Sequence, residues 1–141
     1  MRTELRAVAP ALLAALVAGA ATPAAACGFC IEDRVAAVYD QTLIESTLAQ
    51  GRHVAFFALE GTVKADEATR RAIVTALESA GALPGTARVA LENAACSVAY
   101  DPRRTSLAAF VKRANKPLAA RGLALATLRM IDEGGILKEP Q

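Results

Sequence analysis

Tryptophan is absent from the 141 residues, the other aromatics are two tyrosines and four phenylalanines, and there is a single histidine. A nucleic-acid partner is therefore not expected: stacking aromatics are scarce, and no basic run exceeds the two residues of Arg103-Arg104. Serine, histidine and aspartate fall in no nucleophilic constellation, no phosphate loop occurs, and the adjacent Glu32 and Asp33 read as helix-start charges rather than an acid pair. These absences favour a non-enzymatic protein. Cysteine is sparse and odd in number, three in all, so one thiol is left over if any pair closes.

The first 26 residues have the three parts of an export signal. Arg2 and Arg6 come first, then an apolar run from Ala7 to Ala20 broken only by Pro10 and Gly19, then Ala24-x-Ala26 as a cleavage site. The run is shorter than the roughly 20 residues of a bilayer span. A cleaved signal peptide is expected, with the mature chain starting at Cys27 in the periplasm or outside the cell. An uncleaved anchor is disfavoured by Pro23, and lipidation of Cys27 by Ala24, where a large aliphatic residue is wanted. Removing residues 1–26 leaves 14 basic and 13 acidic residues, so no electrostatic partner is implied, and no second stretch is apolar enough for the membrane.

The mature chain suffices for one domain with a single core. Residues 31–50 read as a helix, with Ile31, Val35, Val38, Tyr39, Thr42, Leu43 and Ala49 on one broad face. Ile44 and Leu48 fall off that face, which calls for a second covered surface or a bend near Gln41 and Thr42. A strand follows over His53 to Leu59, with Phe56 and Phe57 on opposite faces. Asp66 caps a helix whose stripe is Ala68, Ala72, Ile73, Ala76, Leu77 and Ala80, and Gly81 stops it. Two strands, 87–91 and 96–100, make a hairpin about a turn at Glu92 to Ala94. Thr105 or Ser106 caps the next helix, which Pro117 should end or kink, with one more turn before Gly122. The last strand runs from Leu123 to Ile131, and residues 132–141 read as a flexible tail.

From His53 the order is β-α-β-β-α-β, the plan of a ferredoxin-like sandwich. The expected class is therefore α+β, with an extra N-terminal helix covering the sheet face that two helices leave bare. The units are residues 27–52, a CxxC segment and helix, and residues 53–131, the ferredoxin-like domain.

Residues 53–131 also resemble the heavy-metal-associated domain of copper chaperones and metal-transporting ATPases. The resemblance rests on Leu59-Glu60-Gly61 at the end of the first strand, the helix ending before Gly81, and Val98-Ala99-Tyr100-Asp101-Pro102 ahead of Thr105-Ser106-Leu107. It implies the ferredoxin-like fold and a metal-handling role, with another periplasmic metal-handling protein as partner. In that family the loop after the first strand carries a metal-binding Cys-x-x-Cys, whereas Lys64 and Glu67 stand at the matching positions here, so the family's site does not carry over.

A Cys-x-x-Cys does occur elsewhere, at Cys27-Gly28-Phe29-Cys30, ahead of the first helix. Two thiols at this spacing meet across one turn, so they can chelate a soft ion, close a structural disulfide, or cycle between the two as a thiol-redox pair. Helix-start N–H groups favour thiolates there, while Glu32 and Asp33 oppose them. The leading reading is soft-metal binding, with Cu(I) as the ion that two or three thiolates satisfy. A four-ligand zinc site would need Cys27, Cys30, Cys96 and His53 to converge. Cys96 shares a strand face with Val98 and Tyr100, so it reads as a small buried hydrophobe, with third ligand or disulfide partner as its other roles.

Overall fold

The computed structural model describes residues 30–135, 137 and 138. The expected signal sequence over residues 1–26 and the first thiol, Cys27, lie outside the described residues. The elements are α1 (Ile31–Ala37), α2 (Gln41–Leu48), β1 (His53–Gly61), α3 (Glu67–Ala80), β2 (Arg88–Ala90), β3 (Ala95–Tyr100), α4 (Leu107–Ala119), β4 (Leu123–Ile131) and β5 (Leu137–Lys138). The protein is α+β, and its strands form one sheet in the order β2-β3-β1-β4-β5. Every neighbouring pair is antiparallel.

Alternation along β1 divides the core in two. Ala55, Phe57 and Leu59 point to one face, where they meet Ile73, Leu77 and Ala80 of α3 and Phe110, Ala114 and Leu118 of α4. Val54 and Phe56 point to the other, against Val35 and Val38 of α1's end and Ile44 of α2. Both phenylalanines are fully buried, each contributing about 1.5–3 kcal/mol through burial. Phe57 also stacks on Phe110 with ring centroids 5.9 Å apart. A sheet this apolar on both faces needs two covering layers, and α1 with α2 supplies the second.

The helix expected over residues 31–50 is two helices. Asp40 is extended, with its Oδ1 accepting the Leu43 N–H at 3.0 Å as the N-cap of α2. Its Oδ2 accepts from Arg88 Nε of β2 at 2.9 Å. The carbonyl of Val38, at the end of α1, accepts the buried Ser97 hydroxyl at 2.7 Å. A continuous helix would forfeit all three bonds. The break also re-phases the stripe: Ile44 and Leu48 now pack inward, while Tyr39 is turned out and is 47% exposed.

Beyond Pro117 the chain stays helical to Ala119, within the further turn expected before Gly122. The proline sits in the last turn, two residues before Ala119, where it removes one backbone donor of the helix, and Leu118 behind it is buried in the core. The flexible tail assigned to residues 132–141 contains β5, whose Leu137 and Lys138 pair with Ile131 and Met130. Lys138 is also ion-paired with Asp132, which ties the turn between β4 and β5. Residues 136 and 139–141 lie outside the described residues.

The α3 end of the molecule is set by capping and by one close backbone approach. Asp66 Oδ1 accepts the Thr69 N–H at 2.7 Å, and Gly81 takes the left-handed conformation that closes the helix. Arg113 of α4 donates to the Ala80 carbonyl from Nε and Nη2 at 3.0 and 2.7 Å, placing positive charge at the negative end of α3. At the other end, Gly61 has φ +100°, and a Cβ there would lie 2.1 Å from the Gly122 carbonyl oxygen. Only glycine lets the β1–α3 loop and the α4–β4 turn meet this closely.

Candidate functional site

Of the Cys-x-x-Cys, the described residues hold Cys30, which is the N-cap of α1 with extended backbone. Its carbonyl accepts the Arg34 N–H at 3.2 Å, so the residue is joined to the helix at its first turn. The thiol is exposed, is in no disulfide among the described residues, and its Sγ donates to Asp33 Oδ2 at 3.0 Å. Asp33 thus serves as acceptor for the thiol proton as well as a helix-start charge.

Three long-range contacts fix where α1 presents this thiol. Val35 and Val38 are buried against the sheet. Ser97 of β3 holds the end of the helix through the Val38 carbonyl. At its start, Glu32 Oε1 meets Arg129 Nη2 of β4 at 3.2 Å. The last contact depends on a bulge. Between Phe56 and Phe57 the register with β4 slips, so that Phe56 faces Arg129 and Phe57 faces Thr127. Leu128, the extra residue, packs into the α1–α2 core, and Arg129 reaches α1 from the same face. The pair is exposed on the glutamate side, 69% against 15%, so its worth is about 0.2–1 kcal/mol and it orients more than it stabilises.

Cys96 is elsewhere. It belongs to the core beneath α3 and α4, is fully buried, and its thiol is pushed up to about 12 by desolvation. Cys30 lies at the start of the helix that covers the opposite face, and neither thiol is in a disulfide among the described residues. In the structure Cys96 takes the place of a small core residue, the first of the roles expected for it. His53 is half-buried at the start of β1 and meets the Tyr100 ring edge-on at 5.8 Å. It pairs with Tyr100, whereas Cys96 pairs with Phe57. Four residues of strand, about 13 Å, separate the two positions, so the four-ligand zinc set does not assemble. Among the described residues no group of three or more His, Cys, Asp or Glu side chains is placed to hold a metal ion.

Lys64 and Glu67 occupy the loop and first turn after β1 as the sequence places them, and both are exposed. Glu67 faces Arg70 at 3.6 Å. Sequence reasoning did not single out Arg129 or Ser97. Each had a signal: a charged residue inside an apolar strand, and a hydroxyl inside Ala95-Cys96-Ser97-Val98-Ala99, where a buried polar group needs a partner.

Among the described residues, no helix is long and apolar enough to cross a membrane. No family model, curated protein or solved structure matches the chain.

Proposed function

We propose that this is an exported, non-enzymatic protein that binds a soft metal ion, Cu(I) in the first place, through Cys27 and Cys30. The domain behind them is read as a degenerate heavy-metal-associated domain of ferredoxin-like plan. Supporting that plan are the element order from β1 to β4 and the sheet order β2-β3-β1-β4, in which β3 lies between β1 and β2.

The observation that carries the metal reading is the placement of Cys30. Its thiol is exposed at the start of a helix anchored to the sheet at both ends, while the other described thiol is inaccessible. Thiolate sulfur is the donor that selects Cu(I), and two of them suffice to hold it. Binding would release the thiol protons, the one from Cys30 leaving the hydrogen bond it now makes to Asp33. Lys64, an ammonium at the position where the related family has a ligand, gives the β1–α3 loop no soft donor.

Competition with a chromophoric Cu(I) chelator tests the reading on reduced protein from the exported fraction. One ion per chain is expected in the wild type, in Lys64→Ala and in Cys96→Ala, and none in Cys27→Ser/Cys30→Ser. Wild-type affinity no higher than that of the double serine variant would overturn it. Loss of both alkylatable thiols in protein isolated without reductant would favour the structural disulfide instead.

A further inference from the structure

The side of the molecule away from Cys30 carries a feature that metal binding does not use. Between α3 and α4 lies a hollow of about 470 Å³, floored by Ala72, Ala76 and Leu118 and flanked by Arg71 and Arg121. An adjoining hollow of about 190 Å³ shares Arg121 and adds Thr62, Lys64 and Thr69. Three cations from three segments thus border the two hollows, Arg71 from the second turn of α3 on the larger, Lys64 from the β1–α3 loop on the smaller, and Arg121 from the α4–β4 turn on both. The close approach of Gly61 to Gly122 brings the loop and the turn together.

These cations differ from most of the basic side chains in the fold. Arg70, Arg88, Arg103 and Arg113 each hold a carboxylate or a carbonyl. Arg129 holds Glu32. Lys64, Arg71 and Arg121 make no hydrogen bond or ion pair among the described residues. The nearby carboxylate is Asp66, already engaged as the cap of α3, and Lys64 and Arg121 act on it only through their charge. Glu67 is taken by Arg70. Positive charge therefore exceeds negative at the rim of an apolar floor.

The geometry points to a binding site for a small organic anion, a carboxylate or phosphate monoester held by Arg71, Arg121 and Lys64 with a short apolar body on Ala72, Ala76 and Leu118. Guanidinium groups suit such heads because their donors form a planar fork that two anionic oxygens match. The hollow is within the usual size of small-molecule sites, about 300–1,000 Å³. No aromatic residue lines either hollow, so a stacked base or ring has nothing to lie on. An aliphatic body fits the alanine floor.

The test is a titration of the isotope-labelled exported chain, followed by backbone amide shifts, with inorganic phosphate, hexyl phosphate and vesicles containing phosphatidic acid as separate arms. Hexyl phosphate should move amides within residues 62–72 and 117–123 and saturate well below inorganic phosphate. Arg71→Gln and Arg121→Gln should each weaken it about tenfold, as expected for a lost charge-assisted bond. Lys112→Gln, on α4 but outside both hollows, should leave it unchanged. Equal saturation by the two phosphates, shifts unaffected by the arginine variants, or binding to vesicles without binding to hexyl phosphate would each overturn the proposal. The vesicle-only result would assign the patch to a lipid surface. The folded state of each variant is read from the same spectra, so a misfolded variant is recognised and replaced by Arg71→Lys or Arg121→Lys, which should bind more weakly than wild type.

Discussion

Replacing Ser97 by alanine isolates the bond that seats α1 on the sheet. The Ser97 side chain is 1% exposed, and its hydroxyl donates to the Val38 carbonyl at 2.7 Å across 59 residues of sequence. Val38 is itself buried and ends α1, so no continuing turn supplies another donor. Deleting the hydroxyl removes a bond with a net worth of about 1 kcal/mol and strands a buried acceptor, for a total cost of about 1–3 kcal/mol. A folded unit of about 110 residues has an unfolding entropy of about 230 cal/mol/K, so a loss of about 2 kcal/mol lowers Tm by about 9 °C. Thermal unfolding by circular dichroism measures this directly. Ser79→Ala is the control, since that hydroxyl bonds only the Thr75 carbonyl on the exposed side of α3 and alanine suits a helix better. Hydrogen exchange adds a local reading: the Arg34 and Val38 amides of α1 should lose protection in Ser97→Ala before those of β1 do. A Tm drop below about 2 °C, or one no larger than for Ser79→Ala, would refute the idea that this bond seats the helix.

Two other outcomes follow from burial and charge. At pH 8 iodoacetamide should label Cys30 in the native protein and leave Cys96 unmodified, because burial raises that thiol to about 12 and bars the reagent; mass mapping that finds Cys96 labelled as fast as Cys30 would contradict the core assignment. Acid should destabilise the fold below about pH 4. Asp40 and Asp66 are held below the usual carboxylate range chiefly by the N–H groups of Leu43 and Thr69, and Asp101 and Asp132 chiefly by Arg103 and Lys138. A carboxyl lowered by folding adds stability above its unfolded value and loses it as pH falls through its folded one. Asp66→Asn keeps the cap but not the charge, so its urea midpoint should fall less between pH 6 and pH 3 than that of the wild type; an equal fall would refute the assignment of this group.

What the chain determined by itself is what neighbouring residues decide among themselves. The helix of Glu67–Ala80 was legible because its Asp66 cap, apolar stripe and Gly81 stop all lie within one short window. The strands β1 and β4, the hairpin of β2 and β3 and the opposed faces of Phe56 and Phe57 were legible from alternation, and with them the α+β class. The place of Cys30 ahead of a helix was legible from Glu32 and Asp33 behind it.

Tertiary structure decided wherever the deciding partner is far away in sequence. The off-face Ile44 and Leu48 allowed a bend near Gln41, but the break at Asp40 is held by Arg88 and Ser97, 48 and 59 residues from their partners, and those partners lie beyond any local pattern. Leu137–Lys138 becomes a strand because the end of β4 offers it a partner. Alternation put Cys96 on the face of Val98 and Tyr100, but it could not say which helices would cover that face. Once α3 and α4 took it and α1 took the other, Cys96 and Cys30 were set on opposite sides of the sheet, because side chains at adjacent β positions must point to opposite faces and the covering layers choose between them.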